Sequence, residues 1–192
     1  MKKVLIILAI IFGILLVIAF GLFSWVKGNY NTMITLDEEV NGAWAQLENV
    51  LQRRFDLIPN LVETVKGYAS HESDVLTRVT EARAKVGGAG TPGARMEAEG
   101  ELSSALSRLM VVVENYPDLK ANQNFLSLQV QLEGTENRIS VERGRYITVV
   151  KGYNQYIRKF PANILANIFN FRVRETFEAA DGAQTAPRVN FN

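Results

Sequence analysis

The chain of 192 residues holds one histidine, His71, and no cysteine. Nucleophilic catalysis through a serine would need a base held beside it, and His71 would have to be that base. Glu72 follows it directly. On a helix, neighbouring side chains diverge by about 100°, too far to converge on one reacting atom. A carboxylate-bridged metal centre in a helical bundle draws Glu-x-x-His from each of two helices, and no such spacing occurs. The glycine-rich stretch 87–93 (GGAGTPG) lacks the Lys-Ser/Thr ending of a phosphate-binding loop. These residues predict no catalytic group, no cofactor and no metal, so the protein is not expected to be an enzyme. His71 is read as a surface or capping residue.

A second set of polar residues lies close to the apolar stripes: Arg54, Asn60, Glu72, Arg83, Glu114, Asn122, Glu136, Asn137, Arg143 and Asn154. Glu136 and Arg143 are seven apart and so share a helix face at successive layers. These residues are read as a structural polar layer that sets register between helices at some cost in stability. A polar channel that binds a ligand is the alternative.

What must position them is helical. From Tyr30 the apolar residues recur at helical spacing through Met33, Val40, Leu47, Leu51, Ile58, Leu61 and Val65, and on to Val79. Pro59 falls inside this run, where proline costs a helix about 3 kcal/mol. The stripe keeps its phase across it, which predicts a kinked but continuous helix. Gly67 to Ser73 is the expected interruption, with Ser70 as a cap for the next helix. Residues 87–93 form a loop, a second run (95–115) stops at Tyr116-Pro117, and a third starts near Leu119 and ends at Phe160-Pro161. No segment alternates as a strand. The predicted body has two long arms, 30–69 and 119–160, and a hairpin of two shorter helices, roughly 71–86 and 95–115.

Residues 4–26 carry no charge and are almost wholly apolar. As a helix they would be about 34 Å long, enough to cross a bilayer. A signal peptide would end in a small-x-small site, whereas this run exits through Phe-Ser-Trp-Val-Lys-Gly. Trp25 and Tyr30 suit the interfacial belt. Lys2 and Lys3 precede the span; only Lys27 follows it closely, with Asp37, Glu38 and Glu39 next. The positive-inside rule then favours a cytosolic N-terminus and an extracytoplasmic body. Ala9, Gly13 and Gly21 make a small-residue stripe compatible with a homo-oligomer. The near balance of 21 basic against 20 acidic residues argues against nucleic acid as a partner.

If the second arm runs back antiparallel to the first, Phe160 returns towards the bilayer. The run 162–171 is uncharged. Ile164, Leu165, Ile168 and Phe171 are read as membrane-interface residues of an interfacial helix; capping the base of the bundle is the competing role. Residues 175–192 are expected to form a flexible tail. Its ending, Arg188-Val189-Asn190-Phe191, alternates like a strand and could dock on a partner.

The chain resembles the LemA family of bacterial membrane-anchored proteins. The resemblance lies in Tyr30-Asn31, Ala43-Trp44, residues 53–61 (RRFDLIPNL), 68–72 (YASHE) and 81–83 (EAR). It continues through 114–122 (ENYPDLKAN), 135–139 (TENRI), Tyr153-Asn154, Phe160-Pro161 and 187–191 (PRVNF). It implies an all-α fold: one N-terminal transmembrane helix (1–28), then an elongated antiparallel bundle of three to four long helices (29–174). It implies no enzymatic activity. The expected function is that of a helical scaffold in the bacterial cytoplasmic membrane, with an envelope protein such as a membrane protease as its partner. The alternative is an oligomeric protein that organises or remodels lipid directly.

Overall fold

The structure is a computed structural model and describes residues 2–176. The described residues form six helices and no strand: α1 (Lys2–Lys66), α2 (Ser73–Gly88), α3 (Pro92–Val113), α4 (Pro117–Lys120), α5 (Gln123–Arg158) and α6 (Ala162–Ile168). The fold is all-α, as expected. Helix α1 runs without a break from the apolar N-terminal segment into the body and passes through Pro59.

The chain packs as two units. One comprises residues 2–42 with Val149–Arg174; the other comprises Ala43–Thr148, rejoined by the chain at Glu175. In the second unit the buried positions of α1 are Ala43, Leu47, Leu51, Arg54, Ile58, Leu61 and Val65. Those of α5 are Phe125, Leu128, Leu132, Thr135, Ile139 and Tyr146. Intervals of three and four residues keep one seam facing a partner helix, as in a coiled coil. Trp44 meets Tyr146 edge-on at 5.5 Å, Arg54 meets Glu136 and Asn122 donates to the Tyr68 hydroxyl. Numbers rise on α1 as they fall on α5, so the two helices are antiparallel here. The hairpin of α2 and α3 adds Leu76, Val79, Val86, Leu102 and Leu109 to the same core.

The helix ends depart from expectation in instructive ways. Helix α1 stops at Lys66, and α2 starts after Glu72 with no side-chain cap; Ser70 does not cap it. Gly87 and Gly88 continue α2, and Pro92 and Gly93 open α3, so the predicted seven-residue loop shrinks to a short link. Thr91 makes that possible. Its side chain accepts a hydrogen bond from Ala94 N, and Pro92 follows at the first helical position, where its missing N–H costs nothing. Asn122 does the same for α5, its Oδ1 accepting from Asn124 N and Phe125 N.

In the first unit, the Tyr156 hydroxyl donates to Asn29 Oδ1 at 3.0 Å. Tyr30 packs against Phe169 and Phe171 at 4.9 and 5.9 Å. Helix α6 is shorter than the predicted 162–171. Asn170 takes a left-handed φ of 61°, and Phe171 N bonds to Ala166 O while Asn170 N bonds to Asn167 O. That pair of bonds is a Schellman ending. Asparagine tolerates the left-handed conformation better than most residues.

Candidate functional site

In the second unit the polar chemistry turns inward. Arg54 sits on the apolar stripe of α1 and is 1% exposed. Its guanidinium donates to Glu99 Oε2, to Ser103 Oγ at 2.9 Å and to Glu136 Oε2 at 2.5 Å. Glu99 is equally buried, and Arg95, one turn earlier on α3, adds a second cation 3.5 Å from its other oxygen. Arg95 also donates to Val86 O at 3.1 Å. Three helices, α1, α3 and α5, are thus tied at one level by charge. Arginine suits the role because its planar fork can serve several acceptors at once.

Pro59 is accommodated by a specific device. A proline has no N–H, so the carbonyl four residues earlier loses its helical donor. That carbonyl belongs to Phe55, and Arg83 Nε donates to it at 3.1 Å. The Arg83 guanidinium also lies over the Phe55 ring, 3.8 Å from its centroid, within cation–π range. Helix α2 therefore supplies the hydrogen bond that α1 cannot make for itself.

The other predicted polar residues do not form a layer with these. The Tyr116 hydroxyl donates to Glu72 at 3.0 Å, and that bond raises the Tyr116 pKa above its usual value. Glu114 makes a surface pair with Lys120. Asn60 and Asn137 are exposed, and Arg143 is half-buried. Asn154 belongs to the first unit, where it brackets the backbone of Arg174, donating to its carbonyl at 2.8 Å and accepting from its N–H at 2.9 Å. The residues read as a structural polar layer thus lie in a localised charge cluster around Arg54 and Glu136 and in separate caps and clamps elsewhere. The reason is that seam positions repeat along each arm, but the polar residues near them meet different kinds of partner. Arg54 and Glu136 meet each other across helices, Arg83 meets a backbone carbonyl, and Glu72 and Asn122 meet tyrosine hydroxyls near helix ends.

A polar cleft between α2 and α3 has a volume of about 270 Å³ and is lined by Arg78, Glu81, Lys85, Glu101 and Arg108 among others. It is open and spanned by the Lys85–Glu101 pair at 2.6 Å, which raises the lysine pKa. Among the described residues no group of three His, Cys, Asp or Glu is placed to hold a metal ion.

In the first unit the apolar chemistry turns outward. Along 5–23 of α1 every large apolar side chain is exposed, and the segment's mean hydropathy reaches 3.3. Among the described residues α1 is the one helix long and apolar enough to cross a membrane. Trp25 and Tyr30 are partly exposed just beyond this segment, and Ile164 and Ile168 are exposed on α6. Leu165 is corrected: it is 5% exposed and belongs to the core of this unit. Phe171 is half-buried against Tyr30. Tyr153, buried here, donates its hydroxyl to Arg172 O at 3.0 Å. Burial first, and then nearby Asp37, raise its pKa. The Arg188 to Phe191 segment lies outside the described residues.

Residues 43–191 match the model of the LemA family. The chain belongs to the LemA family. Among its relatives, the magnetosome protein MamQ 2 of Paramagnetospirillum magneticum is 27% identical over 91% of this chain and 73% of the relative. The magnetosome protein MamQ of Magnetospirillum gryphiswaldense is 26% identical over 81% and 67%. Protein LemA of Metamycoplasma hominis is 22% identical over 88% and 78%. The LemA match begins at Ala43, so it includes the Arg54 cluster, the Arg83 clamp and α6, and leaves the whole N-terminal apolar segment outside it.

Sequence reasoning missed three members of the Arg54 cluster in this LemA-family chain: Glu99, Ser103 and Arg95. A signal existed. Ala98, Leu102, Leu109 and Val113 are the buried phase of α3, and Arg95 and Glu99 continue that phase towards the N-terminus as an i,i+4 pair of opposite charge. A pair of that kind on an apolar stripe is a candidate for burial.

Proposed function

We propose that this LemA-family protein is a non-enzymatic, membrane-anchored scaffold, single-pass in the bacterial cytoplasmic membrane with its body outside the cytosol. The observation that carries this reading is the fate of the reactive side chains. Arg54 donates to both Glu99 and Ser103, Arg83 serves the backbone of α1, and Glu72 is held by Tyr116. Chemistry that could act on a substrate is spent on joining helices, and the helical surface with the C-terminal Arg188-Val189-Asn190-Phe191 segment is left for a partner, an envelope protein or a second copy.

Removal of residues 187–192 tests the reading. A photo-crosslinking side chain at Val189 in the full chain should yield a discrete adduct with one membrane or envelope protein. A crosslinker placed on the helical body should lose that adduct in the shortened chain, while the protein stays in the membrane fraction. If the adduct persists after the deletion, the C-terminal segment is not the docking site. The second reading, direct action on lipid, is favoured by the exposed Ile164 and Ile168 on α6. It predicts that the shortened chain still binds and reshapes vesicles.

A further inference from the structure

Residues 149–174 contain Lys151, Arg158, Lys159, Arg172 and Arg174 and no acidic residue. Arg174 is taken up by Asp37, with hydrogen bonds of 2.9 and 3.0 Å. Arg158, Lys159 and Arg172 stay exposed. Between them the chain exposes Phe160 at 81%, Ile168 at 68% and Ile164 at 49%. These apolar groups are not the cover of their own core, because Ala162, Leu165 and Ala166 fill that side of α6. Their place along α1 is also defined. Asn29 is bonded to Tyr156, and Tyr30 is stacked on Phe169. Tyr30 lies one helical turn, about 6 Å, beyond the last residue of the apolar segment. When α1 crosses a bilayer, this part of the unit is held at the level of the headgroups.

We propose that α6 and its flanks form a second membrane contact, seated on a bilayer surface that carries anionic lipid. Phe160, Ile164 and Ile168 enter the boundary between headgroups and acyl chains, and Arg158, Lys159 and Arg172 meet the lipid phosphates. Aromatic and aliphatic groups beside exposed cations are the composition of an interfacial segment, and each such cation near an anionic surface adds to its attachment. The contact is independent of any protein partner. It would fix the tilt and rotation of the body where it leaves the membrane, which a single spanning helix cannot do, because it is free to turn about its own axis.

The absence of cysteine makes the test direct. Single variants Val17→Cys, Glu39→Cys and Ile168→Cys of the full chain are spin-labelled and reconstituted into vesicles containing about one-quarter anionic lipid. Collision of the label with oxygen, which concentrates in lipid, is compared with collision with a water-soluble nickel chelate. Val17 reports whether α1 is inserted; Glu39, twelve residues past Lys27 on the same helix, reports water. The expected result is a label at Ile168 with a several-fold higher oxygen-to-nickel ratio than at Glu39. That ratio should fall on purely neutral vesicles, and fall equally on anionic ones when Arg158→Gln, Lys159→Gln and Arg172→Gln are combined.

A nickel-accessible Ile168 with Val17 in lipid overturns the proposal and leaves the spanning helix intact. An Ile168 shielded from both reagents also overturns it, and assigns the face to a second copy of the chain. Equal ratios on neutral and anionic vesicles overturn the headgroup contact. A nickel-accessible Val17 overturns the proposal through its premise, the insertion of α1.

Discussion

The surroundings of Arg54 and those of α6 invert the usual distribution of side chains in opposite senses. Around Arg54, charge lies inside: the arginine and Glu99 are each 1% exposed. Around α6, apolar groups lie outside: Phe160 is 81% exposed and Ile168 68%. Burying a charge is tolerable only when it is paired and hydrogen-bonded, so the first region is an ion-paired cluster directed at other helices of the same chain. Exposing large apolar groups together is tolerable when something other than water covers them, so the second region is directed at its surroundings. One sequence places polar chemistry where it joins helices and leaves apolar chemistry exposed on α6, the face proposed above to meet lipid.

The changes that would break this contrast act on stability, and the largest is at Arg54. Arg54→Leu leaves Glu99 buried without its principal countercharge and should cost about 3–5 kcal/mol, read from denaturant unfolding of the detergent-solubilised full chain. Arg54→Leu combined with Glu99→Leu should recover most of the loss. If the double variant is no better than the single, the arginine acts through packing instead of charge.

On α6 the contrast can be tested within one turn. Leu165→Ala should cost about 2 kcal/mol or more, as a buried leucine does, whereas Ile168→Ala should change stability by no more than about 0.5 kcal/mol. Equal losses at both positions would mean that Ile168 is covered in the folded protein. Glutamate at Ile164 or Ile168 should likewise leave the body folded.

Arg83→Ala should cost about 1–3 kcal/mol by leaving the Phe55 carbonyl without a donor. In a Pro59→Ala background residue 59 regains an N–H for that carbonyl, so the same change should cost clearly less. Equal costs in the two backgrounds would remove the link between Arg83 and the proline.

The smallest effect is at Tyr153. Burial raises its pKa above the ordinary 10.0, so folding favours the neutral phenol. Its contribution is fully present below about pH 10 and declines as pH rises through the folded value. Tyr153→Phe should cost about 1 kcal/mol at neutral pH, and the gap between the two proteins should close at alkaline pH. A gap that is constant to pH 11 and beyond would show that the hydroxyl contributes nothing through its ionisation.

Periodicity was enough to read the helices, because a helix must bury one stripe and the stripe is local information. The run of uncharged residues before Lys27, the continuity of α1 through Pro59, the α2–α3 hairpin and the LemA resemblance all follow from patterns along the chain. The helix ends were less legible: Thr91 and Asn122 cap through side-chain hydrogen bonds that any nearby Ser, Thr or Asn could have offered. What the tertiary structure alone decided is pairing. Arg54 could have met any carboxylate on the facing helices, and it meets Glu99, Ser103 and Glu136, 45 to 82 positions away in the chain. Arg83 finds a carbonyl made available by a proline 24 residues earlier. Leu165 turns inward while Ile164 and Ile168 turn outward, a choice set by which side of α6 meets the rest of its unit. Stripe formation depends on near neighbours along the chain. The choice of partner depends on distances through space, which exist only once the helices have packed.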